Sequence, residues 1–129
     1  MPSAQQLIQS LRAQPLLVVL RPAEPLAALA QLEQLQSLGL VHVEIAWQPS
    51  AHWSRQMGSL IDRFPDLQLG AASVCEARAV ADAAAAGCRY AVSPVLDELA
   101  ELLVEKETVD AEQLQELLIS RDVTVAAYV

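Results

Sequence analysis

Alternation constrains this chain more than any other feature of it. Short apolar runs bounded by Pro or Gly take turns with longer stretches in which Leu and Ala recur at helical spacing. Leu16-Leu17-Val18-Val19-Leu20, closed by Arg21-Pro22, is a continuous apolar run. Such a run reads as a strand buried on both faces, as in parallel sheets. Pro25 to Leu38 follows, with Leu26, Leu29, Leu32 and Leu35 at helical spacing and Gly39 as the stop. The unit then repeats. Strands are predicted at Val41 to Trp47, Leu67 to Ser73, Tyr90 to Ser93 and Val123 to Val129. Helices are predicted from Pro49-Ser50 to about Phe64, from Glu76 to Ala86 before Gly87, from about Leu96 to Glu105, and onward from Asp110. A short amphipathic helix capped by Ser3 and carrying Leu7, Ile8 and Leu11 opens the chain.

A regular βα alternation means a parallel sheet with helices on its faces. Two α/β architectures fit residues 1–129 as a single domain. One is an open, doubly wound, flavodoxin-like sheet of five strands. The other is a partial (β/α)8 TIM barrel, its first five strands with their helices. Periodicity alone does not separate them.

Charge and composition narrow the function. The net charge of −8 argues against a nucleic-acid groove or an anionic membrane surface, both of which need a basic footprint. The polar start Met1-Pro2-Ser3-Ala4-Gln5-Gln6 is unlike a signal peptide. No apolar run approaches the roughly 20 residues of a membrane helix. Cys75 and Cys88 lack CxxC spacing and read as buried, reduced thiols, which points to a cytoplasmic location. His42 and His52 have no matching ligand set, so no metal and no cofactor are expected.

In parallel α/β folds, chemistry gathers at the C-terminal ends of the strands. Those ends here are Arg21, Trp47-Gln48, Ala72-Ser73 and Ser93-Pro94. Glu44 is the most informative residue near them. It shares one strand face with His42 and Ala46, inside an otherwise apolar stretch. A carboxyl group there is costly unless paired, solvated or protonated. Two readings stay open: a general acid/base with a raised pKa, or a structural glutamate paired with Arg21 or Arg89. Ser73 lacks a GxSxG elbow. Its hydroxyl suits either a substrate carboxylate or the cap of the next helix. His42 reads as a satisfied core histidine, and His52 as a helix-surface residue.

These strand ends resemble one family. The first strand ends Val19-Leu20-Arg21, against a family pattern of Val-x-Arg. Gly39 precedes Glu44-Ile45-Ala46-Trp47-Gln48-Pro49, against Glu-Val-Thr-Leu-Arg-Thr. The third strand reads Gly70-Ala71-Ala72-Ser73-Val74, against Gly-Ala-Gly-Thr-Val. The fourth unit, Ala86-Gly87-Cys88-Arg89-Tyr90-Ala91-Val92-Ser93-Pro94-Val95, stands against Ala-Gly-Ala-x-Phe-x-Val-Ser-Pro-Gly. From about residue 5 to residue 95 the chain resembles the N-terminal part of the 2-keto-3-deoxy-6-phosphogluconate (KDPG) and 4-hydroxy-2-oxoglutarate (KHG) aldolases.

The resemblance implies a TIM barrel and a cytoplasmic lyase of carbohydrate metabolism, in the Entner-Doudoroff context. It implies Schiff-base retro-aldol cleavage to pyruvate plus an aldehyde, a small keto-acid ligand and a homotrimer. It also implies Glu44 as the catalytic acid/base. Arg21, Gln48, Ser73 and Pro94 would be the substrate-binding residues.

The departures are specific. Gln48 puts a neutral amide where the family has a bidentate guanidinium. Ala72 and Val95 stand for glycines. The sole lysine is Lys106, flanked by Glu105 and Glu107, which favour its charged form over a nucleophilic amine. The expectation is a truncated aldolase unit that is inactive as the isolated chain. The alternative is a non-catalytic α/β module binding a small carboxylate or a protein partner. Open sheet edges predict self-association.

Overall fold

The computed structural model describes residues 4–93. Pro94, Lys106, the helices expected beyond it and the strand expected at Val123 to Val129 lie outside the described residues. Within them the elements run α1 (Ala4–Ala13), β1 (Val18–Leu20), a 3-10 turn (Pro25–Ala28), α2 (Leu29–Ser37), β2 (His42–Ala46), α3 (Trp53–Arg63), β3 (Gln68–Ala72) and α4 (Ala77–Ala86).

The sheet is parallel, in the order β1-β2-β3. Ala91 adds a parallel bridge on the far side of β3, to Ala71. Hydrogen bonds from Arg89 N to Leu69 O, Ala71 N to Tyr90 O, Val92 N to Ala71 O and Val74 N to Val92 O hold that fourth segment. Sequential order without a reversal is barrel winding. A doubly wound sheet would reverse its strand order at a switch point.

The two faces of the sheet differ. Val43, Ile45, Leu69 and Ala71 turn toward Leu32 of α2, Trp53, Met57 and Leu60 of α3, and Val80 and Ala83 of α4 in one apolar core. Val19, Glu44 and Gly70 are aligned in register on the other face, as are His42 with Gln68 and Ala46 with Ala72. None of α2, α3 or α4 covers that face. It corresponds to a barrel interior. Helix α1 closes its lower end. Ser10 Oγ lies 2.8 Å from His42 Nε2. Gln14 accepts from Val41 N at 2.8 Å and donates to Gly39 O at 2.9 Å. These contacts pin α1 to the entry of β2.

Three expectations are corrected. β1 is three residues long and half-buried, because it pairs only with β2 among the described residues; Leu16 is 47% exposed. The helix expected from Pro25 opens as a 3-10 turn, with Leu26 exposed. Cys75 is exposed, whereas Cys88 is buried; both are free thiols. Gly39 and Gly87 take the positive φ values, 78° and 85°, that end α2 and α4.

Candidate functional site

Glu44 is fully buried on the interior face. Neither carboxyl oxygen has a hydrogen-bond partner. The pairing with Arg21 or Arg89 considered from the sequence is therefore not made. Burial pushes the Glu44 pKa up to about 8, and the Arg21 guanidinium opposes that rise at longer range. At neutral pH the group is mostly protonated, and a modest change in surroundings ionises it. Those are the properties of a proton donor and acceptor.

Above Glu44, at the C-terminal ends of the strands, Arg21 and Ser73 meet. Arg21 Nη1 donates to Ser73 Oγ at 3.0 Å. Arg21 is otherwise exposed. Ser73 has φ 59°, the left-handed region that a non-glycine residue enters at a cost of roughly 1–2 kcal/mol. Strain of this kind concentrates at functional sites. The helix that follows is capped at Glu76 without a side-chain hydrogen bond, so Ser73 does not cap it. Gln48 is half-buried, and its Nε2 donates to Pro22 O at 2.8 Å. Its amide ties the end of β2 to the turn after β1. The structure thus brings Glu44, Arg21, Ser73 and Gln48 to one end of one sheet.

The histidines fall apart from this group. His42 is buried one pleat below Glu44. Burial lowers its pKa, opposed by the hydrogen-bonding Leu16 backbone. His52 is exposed at the start of α3. Among the described residues no cluster of His, Cys, Asp or Glu is arranged to hold a metal. No helix there is long and apolar enough to cross a membrane.

Sequence reasoning missed two residues. A Cβ on Gly70 would lie 2.5 Å from Tyr90 Cε2 and 2.6 Å from Cζ. The Tyr90 ring therefore lies against the backbone directly beside Glu44, since Glu44 and Gly70 are register partners. The Tyr90 hydroxyl is buried and has no partner. Burial, the Glu44 charge and the Cys88 thiol all raise its pKa well above the usual tyrosine range. The available signal was an isolated glycine inside a strand, which marks close approach of another group.

Comparison with known proteins gives this site a context. The family profile for KDPG and KHG aldolases matches residues 7–119. The chain belongs to the KDPG and KHG aldolase family. The KDPG aldolase of Legionella pneumophila, with pyruvate captured at low pH as a covalent carbinolamine intermediate, is 26% identical with a TM-score of 0.61. That match covers 84% of this chain and 54% of that one. The 2-keto-3-deoxy-6-phosphogluconate aldolase of Zymomonas mobilis ZM4, with 3-phosphoglycerate, is 27% identical with a TM-score of 0.61. It covers 78% of this chain and 48% of that one. A cube-shaped, porous cage designed by fusing symmetric oligomeric domains is also similar, at 27% identity and a TM-score of 0.61, over 82% of this chain and 42% of that one. The chain spans about half the length of the solved structures it matches. Curated protein sequences gave no match.

Proposed function

We propose that these residues form the proton-handling and carboxylate-holding part of a pyruvate-forming aldolase site. Glu44 is the general acid/base. Arg21 and Ser73 hold the carboxylate of a small 2-keto acid. Gln48 lines the same pocket, and the family resemblance adds Pro94 to the ligand-binding set. The observation that carries this reading is the unpartnered, buried Glu44 carboxyl, with a pKa near 8, below an Arg21–Ser73 pair at the strand ends. A keto acid seated with its carboxylate on Arg21 would bring its reacting carbons toward Glu44.

Cleavage through a Schiff base further needs a desolvated amine. Lys106, between Glu105 and Glu107, is a poor candidate. We therefore read the described residues as the keto-acid-binding part of a cytoplasmic, homo-oligomeric aldolase barrel, trimeric as family resemblance implies. Pyruvate titration followed by NMR tests the binding. Saturable binding, weakened about tenfold or more by Arg21→Ala, is expected. Borohydride with pyruvate should add no mass at Lys106. Binding indifferent to Arg21 and Ser73, or stoichiometric trapping at Lys106, would sink the proposal.

The Gln48 amide, committed to Pro22 O rather than offering a cation, favours a second reading: a carboxylate-binding module without turnover. Joining this chain to the lysine-bearing C-terminal part of a related barrel separates the two. Cleavage that Glu44→Gln abolishes supports the aldolase. A folded hybrid that binds pyruvate without cleaving it supports the module.

A further inference from the structure

The interior face holds more polar groups than the proposed chemistry uses. Buried side-chain oxygens without a hydrogen-bond partner lie there: both Glu44 oxygens, Gln68 Oε1 and the Tyr90 hydroxyl. Buried polar groups left unpaired call for an explanation, and a catalytic role is one such explanation. Tyr90 is the member best placed to act on Glu44. Its ring fills the space left by the missing side chain of Gly70, and Gly70 sits across the ladder from Glu44. Leu7, Leu11 and Leu17 pack against the ring and fix it from below. The phenol can therefore move little, and it opens onto the same face as the carboxyl.

We propose that Tyr90 is a positioning residue for Glu44, its hydroxyl donating toward the carboxylate through one bridging oxygen, supplied by a water or by an oxygen of bound keto acid. A direct bond is not made, since neither group has a partner within reach. The bridge favours the ionised carboxylate and holds its proton-exchanging oxygen in one orientation. Tyr90 stays protonated throughout; the proton that moves is the one on Glu44. This role rests on the acid/base reading of Glu44, but the coupling itself is measured without turnover.

Arg21 lies at the end of β1, His42 on β2, Gln68 on β3, Ser73 just past its end, and Ser10 on α1 beside His42. Cys88 is a buried thiol whose pKa is pushed up to about 12, so it does not titrate in the range of Glu44.

Carbon-13 NMR of the full chain, with labelled glutamate side chains and tyrosine rings, tests the coupling. Tyr128→Phe leaves Tyr90 as the one tyrosine. The Tyr90 ring carbon bearing oxygen should show a step at the Glu44 midpoint, near pH 8, and the step should vanish in Glu44→Gln. Tyr90→Phe should move the Glu44 midpoint upward by about one unit. A Tyr90 signal that stays flat while Glu44 titrates, with and without pyruvate, overturns the proposal and leaves the acid/base reading standing. The wild-type tyrosine signal decides the matter even where Tyr90→Phe does not fold. A step present without pyruvate assigns the bridge to water. A step that appears only with pyruvate assigns it to the ligand. Coupling without any pyruvate binding would keep Tyr90 in this role and remove the keto-acid reading.

Discussion

A carboxyl group sealed inside a sheet makes stability depend on pH. Glu44 has a folded pKa near 8, above its ordinary value of 4.5. Between those values the unfolded chain ionises first, so it binds fewer protons, and stability falls as pH rises. The slope reaches about 1.4 kcal/mol per pH unit for one such group. His42 acts in the opposite direction. Its pKa is lowered by burial, so stability falls as pH drops below about 6.5, where the unfolded histidine takes up a proton. Urea titrations from pH 5 to 9 should show the alkaline loss in the native sequence and its absence in Glu44→Gln. Arg21→Ala should raise the Glu44 midpoint further, because it removes the charge that opposes the rise. Glu44 was legible in the sequence because a lone carboxyl in an apolar strand is costly by itself. Tyr90 was not. Its role depends on the ladder that sets Gly70 beside Glu44 and on the Tyr90 ring that lies over Gly70, contacts between distant parts of the chain that no local pattern encodes. Cys75 was misread for a similar reason: its Ala-rich neighbourhood did not show that it lies beyond the end of β3.

At the scale of elements, strand ends and helix ends were the readable features. Gly87 is the clearest stop. Its φ of 85° lets its N–H reach back to Ala84 O, closing α4 before Cys88 enters the ladder. Gly87→Ala should cost about 1 kcal/mol, read as a lower urea midpoint with an unchanged slope. Gly70 behaves differently. A methyl group there meets the Tyr90 ring rather than strained backbone. Gly70→Ala should cost about 1–3 kcal/mol through that displaced ring. A Gly70→Ala, Tyr90→Ala double variant should lose less than the sum of the two single losses. The alternation fixed where strands and helices lie, but not their quality. The 3-10 opening of the second helix follows from Pro25, which offers no N–H and sets φ, while Leu26 finds no core to enter. β1 contracted because pairing on one side alone leaves its first residues with little to hold them.

The architecture of the whole chain was the least readable from periodicity, because barrel and doubly wound sheets share the same alternation. What separates them is which face the helices cover. Here α2, α3 and α4 gather on the Val43–Ile45 face and leave the Glu44 face to α1 and the site. That arrangement leaves an edge among the described residues. Among the described residues β1 bonds only to β2, and Leu20, Leu35 and Leu38 line a groove beside it, with Leu38 74% exposed. An unpaired parallel edge next to an apolar groove is a template for another strand and helix. The isolated 129-residue chain should therefore self-associate, with a mass by light scattering that rises with concentration above 13.9 kDa. Leu38→Lys places a charge in the groove without touching the interior face. It should shift the population toward monomer while leaving the Glu44 titration unchanged. A native chain that stays monomeric at every concentration would mean that this edge is already covered, and the open half-barrel would have to be abandoned.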